Sequence, residues 1–586
     1  MFGKIKFISD NIAHVENMSQ GNVSADLMNT HVVFEEKDQA ILGEVDEVTP
    51  DTIKIRFLGE FLAGKYISGV IRKPLLTSKV RVVTGEELVL LVGTYDETTF
   101  ELGRSAIYKE FLIYPKINDL LSNHFAIFGN SGSGKSWGTA RIIQSIFTNP
   151  KLIPYNANIF IFDAYGEYKN AFSKIGEINP NYTYKFISTN PKDGSDDVLQ
   201  VPLHLLDVDD YALLLQAHDH SQLPIIDRTI RLVKIFSQND EIATKFKNHL
   251  IAKALLAVLF TNQTTASKKN DVFRVIEACS TPEFNFAAEI KGLGYSRNFA
   301  ECFQIDSYGN FAESVLINEY IISHIDDSLE ATQAPNDAFY KIEDFAKALE
   351  FTLISEGFQN NVQLYDDAIM LKVRLHSIMN GKVYNYFSYP EYITRDNYIS
   401  ALVVNDNRKA QIININIEDI DDVYAKVIVK ILSKMFFEFA KSRPERASIP
   451  FHVVLEEAHR YVQKDTDTFL IGYNIFDRIA KEGRKYGILL NVISQRPVEL
   501  SDTVISQCSN FLIFKMTHPK DLNYIKEMLP NITEDVIEKQ KVLQPGTCVG
   551  FGSAFKLPMI IKMEIPNPTP HSNNCDVADR WQLKQQ

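Results

Sequence analysis

The octapeptide GNSGSGKS at residues 129–136 narrows the possible folds of this chain more than any other stretch. It meets G-x-x-x-x-G-K-[ST] at every defined position, through Gly129, Gly134, Lys135 and Ser136. The apolar run HFAIF at 124–128 leads into it, and KSWGTARIIQSIF, with helical period, leads out. A buried strand entering a glycine-rich turn and leaving as a helix belongs to a parallel α/β sheet. The glycines let backbone N–H groups curl around phosphate, and the helix N-terminus adds its positive end. Gly129, Asn130, Ser131, Gly132, Ser133, Gly134, Lys135, Ser136 and Trp137 are therefore expected to hold ATP. Lys135 would place its charge on the β- and γ-phosphates, and the Ser136 hydroxyl would ligate Mg²⁺.

A phosphate loop binds; hydrolysis also needs a held metal and an oriented water. HVVLEEAH at 452–459 offers both, because an apolar strand ends there in two carboxylates. Parallel sheets place their ligands at that edge. Glu456 is expected to hold Mg²⁺ through water, and Glu457 to orient or deprotonate the attacking water. The first acid is Glu where P-loop motors more often carry Asp. His459 reads either as a link from nucleotide state to the next loop or as a satisfied histidine at a helix start.

Around these motifs the 586 residues are too many for one core, so two to four domains are expected. Residues 1–95 read as a small β-barrel for assembly or docking, built from short Val- and Ile-rich runs. These are 4–8 (KIKFI), 31–36 (HVVFEE), 52–61 (TIKIRFLGEF), 65–71 (KYISGVI), 79–83 (KVRVV) and 87–93 (ELVLLVG). Strands alternate with helical stretches over 96–204, including NIFIFD at 158–163. Residues 205–390 turn helical in period, as an insertion, and strands return over 391–565. The polar, Pro- and Asn-rich residues 566–586 read as an extended arm or disorder.

Composition excludes several classes. The apolar fraction of 45% and charged fraction of 23% are those of a globular protein. A net charge of −13 argues against a surface coated in basic groups, so any DNA contact must be local, for instance inside a ring. Five scattered cysteines (Cys279, Cys302, Cys508, Cys548, Cys575) read as free thiols in a reducing compartment. Neither a signal peptide nor an apolar run long enough to span a membrane is visible, which points to a cytoplasmic protein without membrane contact.

A third motif, RIAKEGRKYG at 478–487, is followed by ILLNVISQRP. Together with the phosphate loop and EEAH, it resembles the HerA family of hexameric DNA translocases, relatives of FtsK. IFDAYGEY at 161–168, SQCSN at 506–510 and LQPG at 543–546 extend the resemblance over nearly the whole chain. The fold implied is α/β, a RecA-like P-loop ATPase core with an N-terminal small β-barrel and an all-helical insertion. Arg484 stands where the family has an arginine acting on the neighbouring subunit's ATP, which would tie hydrolysis to ring assembly. Gln495 is similar to the polar sensor of the γ-phosphate. Asp163 and Glu167 are expected either to tune the metal site or to form the subunit interface. Lys464, Lys481 and Lys485 are candidate contacts to the DNA backbone.

The resemblance implies a homohexamer that translocates double-stranded DNA by ATP hydrolysis. It also implies a partner effector, a nuclease or a sirtuin-type NAD-cleaving enzyme, in DNA end processing or antiphage defence. A different reading is an ATP-assembled hexameric scaffold that activates its effector with little translocation. A protein- or pilus-export ATPase is a third, opposed by the absence of an anchor.

Overall fold

Alternation within the strands decides which residues face which core. In the N-terminal sheet, Ile53, Ile55 and Phe57 point inward from one strand while Thr52, Lys54 and Arg56 are only partly covered. The computed structural model describes residues 2–18, 27–189, 197–238, 240–331, 333–359, 362–464, 467–528, 534–572 and 577–581. Seven strands make the first sheet: β1 (Phe2–Ser9), β2 (Ile12–Asn17), β3 (His31–Glu35), β4 (Ala40–Val48), β5 (Thr52–Leu62), β6 (Lys65–Ser68) and β7 (Lys79–Val82). They run antiparallel in the order β1-β2-β5-β4-β3-β7, with β6 beside β5. Register shifts in β4–β5 and β1–β2 bend the sheet, and it curls until β1 and β7 approach one another. Its interior holds Val15, Val32, Phe34, Ile41, Val45 and Phe57.

One expectation fails here. The run at 87–93 is not a strand; Gly85–Val92 is an α-helix. Thr84 caps it by accepting the Glu87 N–H, and the Glu87 side chain returns to the Thr84 N–H. That reciprocal pair outweighs the β-preference of the valines. Leu88, Leu91 and Val92 then share one buried face at helical spacing.

The second sheet has twelve strands. In chain order the next elements are β8 (Gly103–Ser105), β9 (Leu112–Ile113), β10 (His124–Phe128), β11 (Ile159–Asp163), β12 (Tyr184–Ser188) and β13 (Asp197–Val198). Two small hairpins stand apart, β14 (Glu289–Lys291) with β15 (Ser296–Asn298), and β16 (Val404–Asn405) with β17 (Arg408–Lys409). The sheet resumes with β18 (Ile412–Asn416), β19 (Phe451–Leu455), β20 (Ile488–Ser494), β21 (Cys508–Phe514), β22 (Thr547–Gly552) and β23 (Met559–Met563). Its order is β13-β12-β18-β11-β19-β20-β10-β21-β22-β23-β8-β9. The pairs from β13 to β21 are parallel and the remaining ones antiparallel.

Both faces of the parallel part are covered, so its strands read as unbroken apolar runs. Phe125, Ile127, Ile159 and Ile161 face the helix Lys135–Phe147. Ala126, Phe128, Phe160 and Phe162 face the other way, toward the helix Asp422–Lys441 and a helical segment between Val208 and Asn380. Phe160 meets Phe436 with ring centroids 4.3 Å apart, and burial of one such ring contributes about 2 kcal/mol. Lys434 ties the two helical bodies together, its Nζ lying 2.6 Å from Asp207 and 3.1 Å from Asp210. The hairpin β14–β15 interrupts the otherwise helical segment.

Beyond β23 the chain straps the helix Lys135–Phe147. Gln144 donates to the Pro568 carbonyl, Trp137 Nε1 donates to Ser572 Oγ at 2.8 Å, and the His571 N–H donates to the Glu167 carbonyl. Residues 573–576, with Cys575, and 582–586 lie outside the described residues; Cys279, Cys302, Cys508 and Cys548 are free thiols. No described helix is long and apolar enough to cross a membrane.

Thr84→Ala is expected to cost the helix Gly85–Val92 about 1 kcal/mol. Hydrogen exchange followed by mass spectrometry should read this as roughly five-fold faster amide exchange over 85–92, with β3 to β5 unchanged.

Candidate functional site

The carboxyl ends of β10, β20, β19 and β11 lie side by side, because these neighbours run parallel and in register. Each loop leaving that edge opens into one crevice. The phosphate loop leaves β10 and becomes the helix Lys135–Phe147. Gly134 has φ 108°, and a Cβ there would come within 3.0 Å of the Gly546 backbone. Gly546 earns that proximity by donating its N–H to the Ser133 carbonyl at 2.9 Å. Gly132, with φ 70°, has open space where a side chain would stand. Asn130 anchors the loop through its N–H to the Lys515 carbonyl and its side chain to Thr517 Oγ1. Ser131 is exposed at the loop's outer side.

Lys135 is only 8% exposed and folds back to donate from Nζ to the Asn130 carbonyl at 3.1 Å. Burial lowers its pKa, while Glu457, Glu456 and Glu167 pull it back up. Ser136 Oγ donates to Glu456 Oε1 at 3.5 Å, and Glu456 Oε2 accepts the Ala164 N–H at 3.2 Å. Burial, then Asp163 and Glu167, push the Glu456 carboxyl well above its ordinary value. Glu457 turns the other way. It leaves β19 with φ 46° and ψ 47°, a left-handed conformation that costs a non-glycine residue about 1–2 kcal/mol. Its Oε2 lies 3.2 Å from His459 Nδ1.

Asp163 and Glu167, alike in sequence, separate in geometry. Asp163 spends both oxygens on structure: Oδ1 accepts the Glu167 N–H, and Oδ2 accepts the Tyr168 N–H and Asn414 Nδ2. It shapes the 164–168 turn. Glu167 Oε2 is buried without a partner, and burial raises its carboxyl against the influence of Ser136. Three carboxylates, Glu167, Glu456 and Glu457, thus surround Lys135 and the Ser136 hydroxyl. An under-paired oxygen and a raised carboxyl beside a hydroxyl fit a divalent cation with several of its waters.

Gln495 follows Ser494 at the end of β20, between the phosphate loop on one side and the acid pair on the other. Arg484 is not brought to this crevice. It stands before β20, exposed, and donates from NH1 to Asn123 Oδ1 at 2.9 Å, just before β10. That is the amino edge of the sheet, about 20 Å from the phosphate loop along the strands. Lys481 and Lys485 are exposed at the same edge. Lys464 is 2.8 Å from Asp502 and lies over the Tyr524 ring, a surface pair.

Sequence reasoning missed three contributors. Ser494 is a polar ending on an apolar run, a visible but weak signal. Gly546, noted only within LQPG, and the strap through Ser572 come from far down the chain, and no periodicity announces their contacts. A separate grouping of His249, Asp327 and Glu330 has metal-ligand chemistry in outline only. His249 Nδ1 accepts the Asp326 N–H at 3.0 Å, which leaves the ring proton on Nε2, and Lys253 is already ion-paired with both carboxylates.

Burial and the neighbouring carboxylates favour the protonated form of Glu456, and a cation beside it would favour the ionised form. Calorimetric titration with Mg-nucleotide in two buffers of different ionisation enthalpy should show net proton release below neutral pH. Glu456→Gln should abolish that release; an unchanged proton count would contradict the placement.

Residues 100–286 match the family described as Helicase HerA, central domain. The chain is 24% identical to the DNA double-strand break repair helicase HerA of Sulfolobus acidocaldarius, over 87% of this chain and 77% of the relative. It is 21% identical to the protein of the same name from Pyrococcus furiosus, over 94% and 84%. Among solved structures it is similar to VirB4 of Thermoanaerobacter pseudethanolicus, with 16% identity, a TM-score of 0.43, and coverage of 80% and 98%. With the phosphate loop and the acid pair, the chain is a P-loop ATPase that is similar to the HerA helicases over most of its length.

Proposed function

We propose that this chain is one subunit of a homohexameric, ATP-driven translocase of double-stranded DNA, a helicase-type motor that serves a partner effector. The observation that carries this reading is the division of one hydrolytic set between two edges of one sheet. The loop, the acid pair and Gln495 share the carboxyl edge, while Arg484 is exposed at the amino edge. A guanidinium so placed reaches an ATP only on another subunit, and rings stack one subunit's edge against the next.

Within the crevice the loop N–H groups and Lys135 hold the β- and γ-phosphates. Mg²⁺ bound with the triphosphate supplies charge neutralisation on the phosphate oxygens. Ser136 and Glu456 would hold that ion, with the Glu167 carboxylate nearby. Glu457 orients the attacking water and takes its proton. Gln495 reads the γ-phosphate from between the two motifs, and Arg484 of the adjoining subunit offsets charge on the transferring group. The HerA relatives are named as DNA repair helicases, which points to duplex DNA as the track. Lys481 and Lys485 beside Arg484 are the remaining candidates for its backbone. The effector, a nuclease or an NAD-cleaving enzyme, is expected to carry the cutting or signalling chemistry.

Lys135→Ala and Glu457→Gln should each lower ATP turnover by about 100-fold or more, and duplex DNA should stimulate the wild type in a salt-sensitive manner. Turnover retained in both variants would remove the site assignment. A rate indifferent to DNA but set by the effector alone would favour the ATP-assembled scaffold.

A further inference from the structure

The turn after the acid pair carries a contact that hydrolysis as described does not use. Glu457 begins a 3₁₀ turn, Ala458–Arg460, in its left-handed conformation. That turn swings His459 back toward the strand end. Its Nδ1 lies 3.2 Å from Glu457 Oε2 and also 3.2 Å from Ser494 Oγ. Ser494 is fully buried as the last residue of β20, and its Oγ accepts the Arg496 N–H at 3.0 Å. The hydroxyl therefore fixes the backbone on both sides of Gln495.

One ring nitrogen cannot serve two partners at once. His459 and Ser494 make a hydrogen bond, whereas Glu457 Oε2 is buried with no aligned donor. A buried carboxylate oxygen left in this way costs about 1–3 kcal/mol. The left-handed backbone of Glu457 adds strain at the same residue, and both are relieved if the acid gains a partner. The competing partners sit on different motifs, one on the acid pair and one on the strand end that borders the phosphate loop.

We propose that His459 is a positioning residue, shared between Ser494 and Glu457, that couples the strand end carrying Gln495 to the orientation of the acid. The inference rests on the reading of Glu457 as the group that orients the attacking water. In the arrangement described, the imidazole is held by Ser494 and Glu457 is unaligned. A shift of residues 494–496 toward a bound γ-phosphate lengthens the His459–Ser494 contact and turns Nδ1 to Glu457. The carboxylate is then fixed only when a γ-phosphate is seated, so water is oriented only against a correctly placed triphosphate. His459 touches neither nucleotide nor water in this scheme; it acts through Glu457.

The test is a double-mutant cycle on the full-length protein with Mg-ATP, reading kcat and KM separately together with binding of a fluorescent ATP analogue. His459→Ala should lower kcat by about ten-fold, whereas Ser494→Ala, which removes the partner competing for Nδ1, should raise it about three-fold; the double variant should turn over like His459→Ala, with KM and analogue affinity within about two-fold throughout. His459→Asn, whose amide puts a donor near the Nδ1 position, should recover part of kcat, whereas His459→Gln should not. A Ser494→Ala effect that persists in the double variant, or a fall in analogue affinity matching the fall in kcat, would overturn the coupling. So would an unchanged or lowered kcat in Ser494→Ala, a substitution small enough to spare the strand. Glu457→Gln run alongside separates the two levels. Turnover in that variant removes the acid's role itself, while its inactivity beside normal Ser494→Ala and His459→Asn variants removes only the coupling.

Discussion

A parallel sheet has two edges, and a residue at the end of a strand belongs to one of them. That constraint organises this protein. β10, buried between β20 and β21, delivers the phosphate loop to the carboxyl edge. β19 and β11 deliver the acid pair and the 164–168 turn to the same edge. The segment before β20 puts Arg484 at the other. No rotamer of an arginine spans the roughly 20 Å between them. An Arg484 that acts on ATP must therefore act on a neighbour's.

The crevice itself is held by strain and burial in opposition. Burial first, and then the neighbouring carboxylates Asp163 and Glu167, raise the cost of ionising Glu456. Lys135 bends back to the Asn130 carbonyl. Both groups are poised to gain from a metal-bound triphosphate, which replaces their mutual repulsion and self-bonding with compensated charge. Glu457, in a conformation uncommon for a residue with a Cβ, adds a local cost that the β19 strand and the turn after it sustain.

Much of this is legible in the sequence. GNSGSGKS specifies its strand and helix because only that context makes its glycines useful, and EEAH after an apolar run specifies the edge. The run at 87–93 misled because valine and leucine suit a strand or a buried helix face equally, and the deciding residue, Thr84, lies outside it. The division of labour between Asp163 and Glu167 was invisible, since it depends on Asn414 and the Tyr168 N–H arriving from elsewhere. The same holds for Ser494 beside His459, which are 35 residues apart. The tail's course along the helix Lys135–Phe147 was hidden too, because its contacts are made largely through backbone carbonyls and N–H groups that any sequence offers.

The measurement that bears most directly on the central claim mixes two inactive chains. Arg484→Ala keeps an intact crevice and lacks the arginine; Lys135→Ala lacks the crevice and keeps the arginine. If the site is completed across an interface, rings containing both should regain hydrolysis at a fraction of the wild-type rate, set by how often an intact crevice adjoins an intact arginine. Absence of any recovery, in rings shown by native mass spectrometry to contain both chains, would contradict a site shared between subunits.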